Sequence, residues 1–316
     1  MCHVFLINPR AGKRDQTARL RGLADRLAAA HGLEVSCLLT DRPGGAEAIA
    51  HALAETGEPV RIYACGGDGT VHEAANGIAG YENAAMTVIP TGTGNDFLKN
   101  FGPDAAKFSD PENLWDGPDF PLDLIDCNGR YCLTIACSGI DARIADSVHR
   151  YGGLLSGRGN YLLSVAVNFL FKPIGRRWRV ELDGEVLEDD FALVSMCNGR
   201  YYGGGSMPVP QARMDDGVLE TILVKNVPKT TFARLFSTYS AGDCWKFPEI
   251  ARVVTARQVC ITAGPDDEDI VTCLDGESIR SQSVTLRLAD RQVNFFGPAG
   301  CSPNATAREA RRPANV

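Results

Sequence analysis

The chain has 316 residues, 44% of them hydrophobic and 22% charged, with a formal net charge of −7. This is the make-up of a globular protein with room for two cores, which excludes a disordered or fibrous chain. The acidic balance excludes broad nucleic-acid binding, which needs a basic face, and leaves open a local basic patch against anionic lipid.

The first third alternates strand and helix patterns. "HVFLIN" reads as a buried strand. Leu20, Leu23, Ala24 and Leu27 mark one face of a helix that Gly32 ends. The strand "LEVSCLLT", a helix over 46–54, the strand "VRIYAC", a helix over 70–78 and the strand "AMTVIP" follow. Such alternation implies an α/β domain with a mostly parallel sheet, placed at 1–122.

Past Pro121 the pattern changes to short strands separated by Asn128-Gly129, Asp183-Gly184, Asn198-Gly199, Asp216-Gly217 and Asp275-Gly276. Asn-Gly and Asp-Gly suit turns with positive φ, so 123–297 reads as an all-β sandwich with a helical insertion over about 160–171. From 298 the chain loses periodicity and reads as a poorly ordered tail to 316.

Eleven cysteines are scattered without a C-x-x-C pair, several of them inside apolar runs. That pattern fits buried free thiols in a reducing cytosol, not a disulfide framework or a zinc site. The N-terminus lacks the basic start and apolar length of a signal peptide. The longest apolar stretch, 161–171, is about half of the ~20 residues a membrane-spanning helix needs. A cytoplasmic protein, at most peripheral to a membrane, is expected.

Three polar or glycine-bearing loops fall at the ends of predicted strands: "NPRAGK", "GGDGT" and "PTGTGND". In open α/β sheets ligands bind there. Glycines let a backbone approach phosphate closely, and Thr70 stands where a helix begins, with free N–H groups available to an anion. Lys13 and Lys99 can neutralise charge. One loop alone reads best as a tight strand-to-helix turn; three together favour a phosphate site. Asp68 inside "GGDGT" repels phosphate unless a cation intervenes, and Mg²⁺ is the natural one. A plainer role is an acid complementing the helix dipole. Neither a G-x-x-x-x-G-K-[ST] loop nor a full G-x-G-x-x-G follows a strand.

"NPRAGK", "GGDGTVHEAANGI" and "IPTGTGNDFLKNFG" resemble successive motifs of the diacylglycerol kinase catalytic-domain family, which includes soluble bacterial lipid kinases and the sphingosine and ceramide kinases. "CSGIDARIA", "NGRYYGGGSMPVPQARMDDGVLE" and "CLDGESI" resemble its later motifs in the same order. The resemblance implies an N-terminal domain of NAD-kinase and phosphofructokinase type, a β-sandwich second domain, and ATP with Mg²⁺ in a cleft between them. It implies that Asn8, Pro9, Lys13, Thr40, Gly66, Gly67, Asp68, Gly69, Thr70, Glu73, Thr93 and Asn95 surround the nucleotide. By the same likeness Asp68 organises a metal–water network near Lys13. Asp216 holds a structural Mg²⁺ with the carbonyls of Arg213 and Val218, and Glu277 is the general base toward the lipid hydroxyl. Some members carry Arg where this chain has Lys99.

The implied activity is ATP-dependent phosphorylation of diacylglycerol or a related lipid alcohol at a membrane surface, with homodimerisation left open. NAD kinase shares "GGDGT" but not the second-domain motifs, and a non-catalytic lipid- or nucleotide-binding regulator would need none of the acids. "GNYLLSVAVNFLFKPIGRRWRV", read as a core helix and an edge strand, and "TTFARLFSTYSAGDCWKF" are the two segments that could meet lipid.

Overall fold

The computed structural model describes residues 1–150 and 172–307. They divide into two compact units, the first made of Met1–Leu124 with Ala289–Thr306 and the second beginning at Ile125.

The first unit carries a six-stranded sheet. Its order is β2 (Glu34–Leu39), β1 (Cys2–Ile7), β3 (Val60–Gly66), β4 (Ala84–Pro90), β17 (Val293–Phe296), β5 (Asp119–Leu122). All pairs are parallel except β17 with β5. Every residue of β3 is buried, as expected of a central parallel strand covered on both faces. Helix α1 (Thr17–His31) turns Leu20, Ala24 and Leu27 inward and stops at Gly32, whose φ of +66° suits a left-handed helix end. Helices α2 (Gly45–Glu55) and α3 (Asp68–Ile78) approach closely through small residues. A Cβ on Gly77 would lie 2.5 Å from the Glu47 carbonyl oxygen and 2.8 Å from Ala50 Cβ.

Two sequence expectations need correction here. The sequence pattern assigns 293–296 to the second domain, yet β17 (Val293–Phe296) pairs with β4 and β5 of the first. The segment from 298 lacks periodicity, yet to residue 306 it packs on this unit and is no loose tail, with Pro303 and Asn304 buried. Residues 308–316 lie outside the described part, as does the helical insertion expected over about 160–171. Arg61 secures the sheet's far edge. Its guanidinium donates to the carbonyls of Trp115 and Gly117 and to Asp119, and it lies over the Phe296 ring.

The second unit is antiparallel. Strand β10 (Glu185–Cys197) serves two ladders: its first half pairs with β9 (Arg176–Leu182), its second with β8 (Ile135–Gly139) and β11 (Glu220–Lys225). A register shift between Phe191 and Leu193 marks the change, the device by which a strand passes between packed sheets. One ladder continues through β13 (Gln258–Ala263) and β16 (Ser283–Leu288) to β6 (Ile125–Cys127) and β7 (Arg130–Cys132). The other holds β14 (Ile270–Leu274), β15 (Glu277–Ser281) and β12 (Ala251–Thr255). Val180, Ile261 and Leu286 meet Ala136, Val194 and Leu223 in one core. The outer face of β8, β10 and β11 packs against α4 (Ile140–Arg150) and α5 (Lys229–Ser240).

Three of the predicted turns have positive φ at both central residues: Asn128-Gly129, Asp183-Gly184 and Asp275-Gly276. At Asp216-Gly217 only the glycine does, and Asn198-Gly199 makes no such turn. Strand β9, expected at an edge, lies between β10 and β13, and its Trp178 points into the core, so "RRWR" presents no aromatic–basic surface. All eleven cysteines are free thiols. Among the described residues no helix is long and apolar enough to cross a membrane.

Candidate functional site

In the first unit, β1 has β2 on one side and β3 on the other, which makes it the topological switch point of the sheet. The loops after β1, β3 and β4 all end there and touch. Thr91 and Gly92 both donate backbone N–H to the Gly66 carbonyl. A Cβ on Gly92 would lie 2.4 Å from Gly67 Cα, and one on Gly12 2.2 Å from the Thr91 carbonyl oxygen. Only glycine fits these crossings, so the three glycine loops are a single construction. Asn8 joins the first loop to the second by donating its side-chain amide to Thr70 Oγ1 at 3.0 Å.

Asp68 is the first residue of α3, where an acid complements the helix N-terminus. Its carboxylate also accepts the backbone N–H groups of Asp96 (3.0 Å) and Phe97 (3.2 Å), holding the third loop against the second. The Asn95 side chain donates to the Gly92 carbonyl, while its Oδ1 and the Thr91 hydroxyl, both buried, have no partner among the described residues. Lys13 and Thr93 are exposed in the first and third loops, and Pro9 and Gly69 are partly buried.

Not every expected nucleotide neighbour points to a ligand. The Glu73 carboxylate accepts the N–H groups of Gly44 and Ala46 and so caps α2. Thr40 is buried, its N–H donated to the Ile7 carbonyl. Lys99 is paired with Asp96 at 2.5 Å, so its charge is already answered within the loop.

In the second unit, the segment from Asn198 to Leu219 links β10 to β11. Arg200 is fully buried, donates to the Ala212 carbonyl, and is brought down to about 10 by burial. Asp216 lies exposed at the turn and accepts the Val218 N–H at 3.1 Å; Arg213 and Val218 are exposed beside it. Among the described residues no group of three or more His, Cys, Asp or Glu side chains is poised for a metal. One carboxylate with backbone carbonyls is nonetheless a donor set that suits Mg²⁺, which keeps several of its waters. Glu277 opens β15, exposed, directly after the Asp275-Gly276 turn. An apolar pocket lies beneath α5, lined by Leu193, Val224, Leu235, Phe236, Tyr239 and Phe247 among others.

The sequence profile described as the diacylglycerol kinase catalytic domain matches residues 3–125, and that of the YegS C-terminal NAD kinase beta sandwich-like domain matches 134–297. The chain belongs to the diacylglycerol kinase catalytic-domain family. Its class is lipid kinase. A protein of Pseudomonas aeruginosa named "Probable lipid kinase YegS-like" is 27% identical over 274 residues, covering 85% of this chain and 86% of the relative. A protein of Mycobacterium tuberculosis named "Diacylglycerol kinase" is 30% identical over 210 residues, 64% of this chain and 66% of the relative. The crystal structure of a "putative diacylglycerol kinase" from Bacillus anthracis superposes with a TM-score of 0.72 at 25% identity, over 93% of this chain and 96% of that one.

Sequence reasoning passed over one ionisable group in this lipid kinase. Glu220 sits in the apolar run "VLETILV", which signals a strand and not a site. Burial, then the charge of Asp216, push its carboxyl up to about 7, and its Oε2 has no partner among the described residues. The fold therefore favours protonated Glu220. The stabilisation is fully present below the unfolded value near 4.5 and is lost as pH rises through about 7. The difference corresponds to about 3 kcal/mol. In Mg²⁺-free buffer, Tm should fall between pH 5 and 8 more steeply for the wild type than for Glu220→Gln. Parallel Tm profiles would show that Glu220 titrates normally.

Proposed function

We propose that this lipid kinase transfers the γ-phosphate of ATP to the hydroxyl of diacylglycerol or a related lipid alcohol presented at a membrane surface. The observation that carries the reading is the meeting of three glycine loops at the switch point of a parallel sheet, the second and third tied together by the Asp68 carboxylate. Phosphoryl transfer asks mainly for positioning and charge neutralisation, and bare backbone at strand ends provides the first.

Asn8, Pro9, Gly66, Gly67, Gly69, Thr70 and Asn95 form the cradle for the triphosphate, with the unpartnered Asn95 Oδ1 and Thr91 hydroxyl available to ligand or water. Lys13 and Thr93, exposed and able to turn toward a ligand, would supply charge and a hydroxyl. Thr40 and Glu73 contribute indirectly, through the Gly44–Gly45 entry to α2 that Glu73 caps. Asp68 would face the Mg²⁺ that accompanies ATP, and Asp216, with the carbonyls of Arg213 and Val218, would hold a structural Mg²⁺. When bound, Mg²⁺ supplies the charge that lets a carboxylate stand beside phosphate. Glu277 would take the proton from the lipid hydroxyl.

The pocket beneath α5 is apolar but small, with room for no more than a group or two of methyl size. Phe236 (45% exposed) stands on α5 and Trp245 (51% exposed) in the turn after it, with Lys246, itself paired with Asp243, over the Trp245 ring. Exposed aromatic side chains of this kind fit the interfacial layer of a lipid surface.

Purified protein given labelled ATP, Mg²⁺ and separately diacylglycerol, phosphatidylglycerol, a sphingoid base or NAD, with products separated, tests the reading. Label is expected in one lipid product and not in NADP. Label in NADP alone, or in no product, would overturn the assignment.

A further inference from the structure

The Asp275-Gly276 turn carries bonds that a tight hairpin does not require. Positive φ at both central residues suffices for a two-residue turn, and Asp-Gly supplies it. Yet the Asp275 carboxylate reaches outside its hairpin. It accepts the backbone N–H of Leu133 at 2.7 Å, that of Thr134 at 2.9 Å, and the Thr134 hydroxyl.

The opposite side of the same dipeptide is also occupied. The Thr134 carbonyl accepts the N–H groups of Asn198 (2.8 Å) and Gly199 (2.9 Å), and the Leu133 carbonyl accepts the Asn198 side-chain amide (2.8 Å). Asn198 begins the loop that runs to Asp216, clamped midway by Arg200 on the Ala212 carbonyl. Leu133–Thr134 thus stands between the turn that presents Glu277 and the loop that presents Asp216, bonded to both.

We propose that Asp275 is a positioning residue for phosphoryl transfer, fixing the Glu277 carboxylate against the Asn198–Val218 loop through Leu133–Thr134. The inference rests on Glu277 being the general base. A base must lie within hydrogen-bond reach of its proton, and a misplacement of about 1 Å can cost about 10²-fold in rate.

The fold supplies its own control. Asp183, in another hairpin turn, likewise uses its carboxylate to accept backbone N–H groups across the sheet, from Arg257 and Gln258, with no proposed functional residue attached. The test compares wild type, Asp275→Asn, Glu277→Gln, the double variant and Asp183→Asn, reading kcat, ATP affinity and Tm at a temperature where all are folded. Asp275→Asn should lower kcat about 10–10²-fold with ATP affinity unchanged. The double variant should match Glu277→Gln within about twofold, because the Asp275 contribution is delivered through Glu277. Asp183→Asn should lose Tm and keep kcat.

Wild-type kcat in Asp275→Asn, beside an inactive Glu277→Gln, would overturn the positioning role and leave the base in place. A double variant slowed by the product of the two single effects would overturn it as well. Wild-type turnover in Glu277→Gln would remove both the base and the residue that positions it. If Asp275→Asn does not fold, Thr134→Val removes one of the three bonds and is read by the same comparison. It is expected to lower kcat severalfold near wild-type Tm, and unchanged kcat would overturn the proposal.

Discussion

Replacing Asp68 by asparagine should reduce kcat by about 10²–10³-fold, the usual loss when a preorganised charge is removed from a reacting centre. The structure makes asparagine the informative substitution. Two backbone N–H groups, of Asp96 and Phe97, end on the Asp68 carboxylate. Alanine would strip both of their acceptor, at about 1–3 kcal/mol for each donor left buried, and would loosen the loop after β4. Its inactivity would then have two explanations. Asparagine removes the charge and keeps the side-chain volume and one acceptor oxygen, so only one of the two N–H groups loses its acceptor. Tm within a few degrees of wild type, together with severely reduced label transfer, is the expected pair of results. An asparagine variant turning over at the wild-type rate would leave Asp68 with a structural task alone, that of joining two loops at a helix N-terminus.

The phosphate-binding side of this protein was open to sequence reasoning because its signals are local. Gly66, Gly67, Gly69, Gly92 and Gly94 follow apolar strands directly, and a strand-to-loop change with bare backbone shows within a few residues. What those loops do to one another was not legible. The Asp68 bonds span 28 and 29 residues, and the close crossing of Gly92 over Gly67 depends on β3 and β4 being neighbours. No local pattern announces a neighbour.

Strand β17 shows the same limit more sharply. Its four residues pair in parallel with β4 from far along the chain, and their hydrophobicity suits either unit equally. Glu73 was expected beside nucleotide because its motif places it there. Geometry gives its two oxygens to the N–H groups that open α2, a requirement set by the Gly44–Gly45 entry to a different helix. The Asn198-Gly199 reading went astray because Asn-Gly also serves where two N–H groups must reach one carbonyl. In the second unit, Asp183-Gly184 and Asp275-Gly276 look alike as sequence and are alike as turns. Both are followed by a glutamate, and they differ in surroundings: Arg252 holds the Glu185 carboxylate by two bonds, whereas the Asp275 turn is tied through Leu133–Thr134 to the loop that carries Asp216, which is why one is a candidate for function and the other a control.

Glu277→Gln is expected to lower kcat about 10²–10⁴-fold, the range a positioned general base contributes, while ATP affinity stays at the wild-type level. The location of Glu277 is what makes this a clean measurement. It is exposed, it opens β15, and its pairing with Leu274 belongs to the backbone ladder, which is indifferent to the side chain. Glutamine keeps size and strand position, so stability should move by no more than about 0.5 kcal/mol, as at most surface positions. A fall in turnover therefore cannot be assigned to a damaged fold. If the carboxylate instead only bound nucleotide, ATP affinity would fall and kcat at saturating ATP would survive. Measuring both constants separates these two roles, and unchanged turnover at saturating ATP and lipid would move the base to another residue.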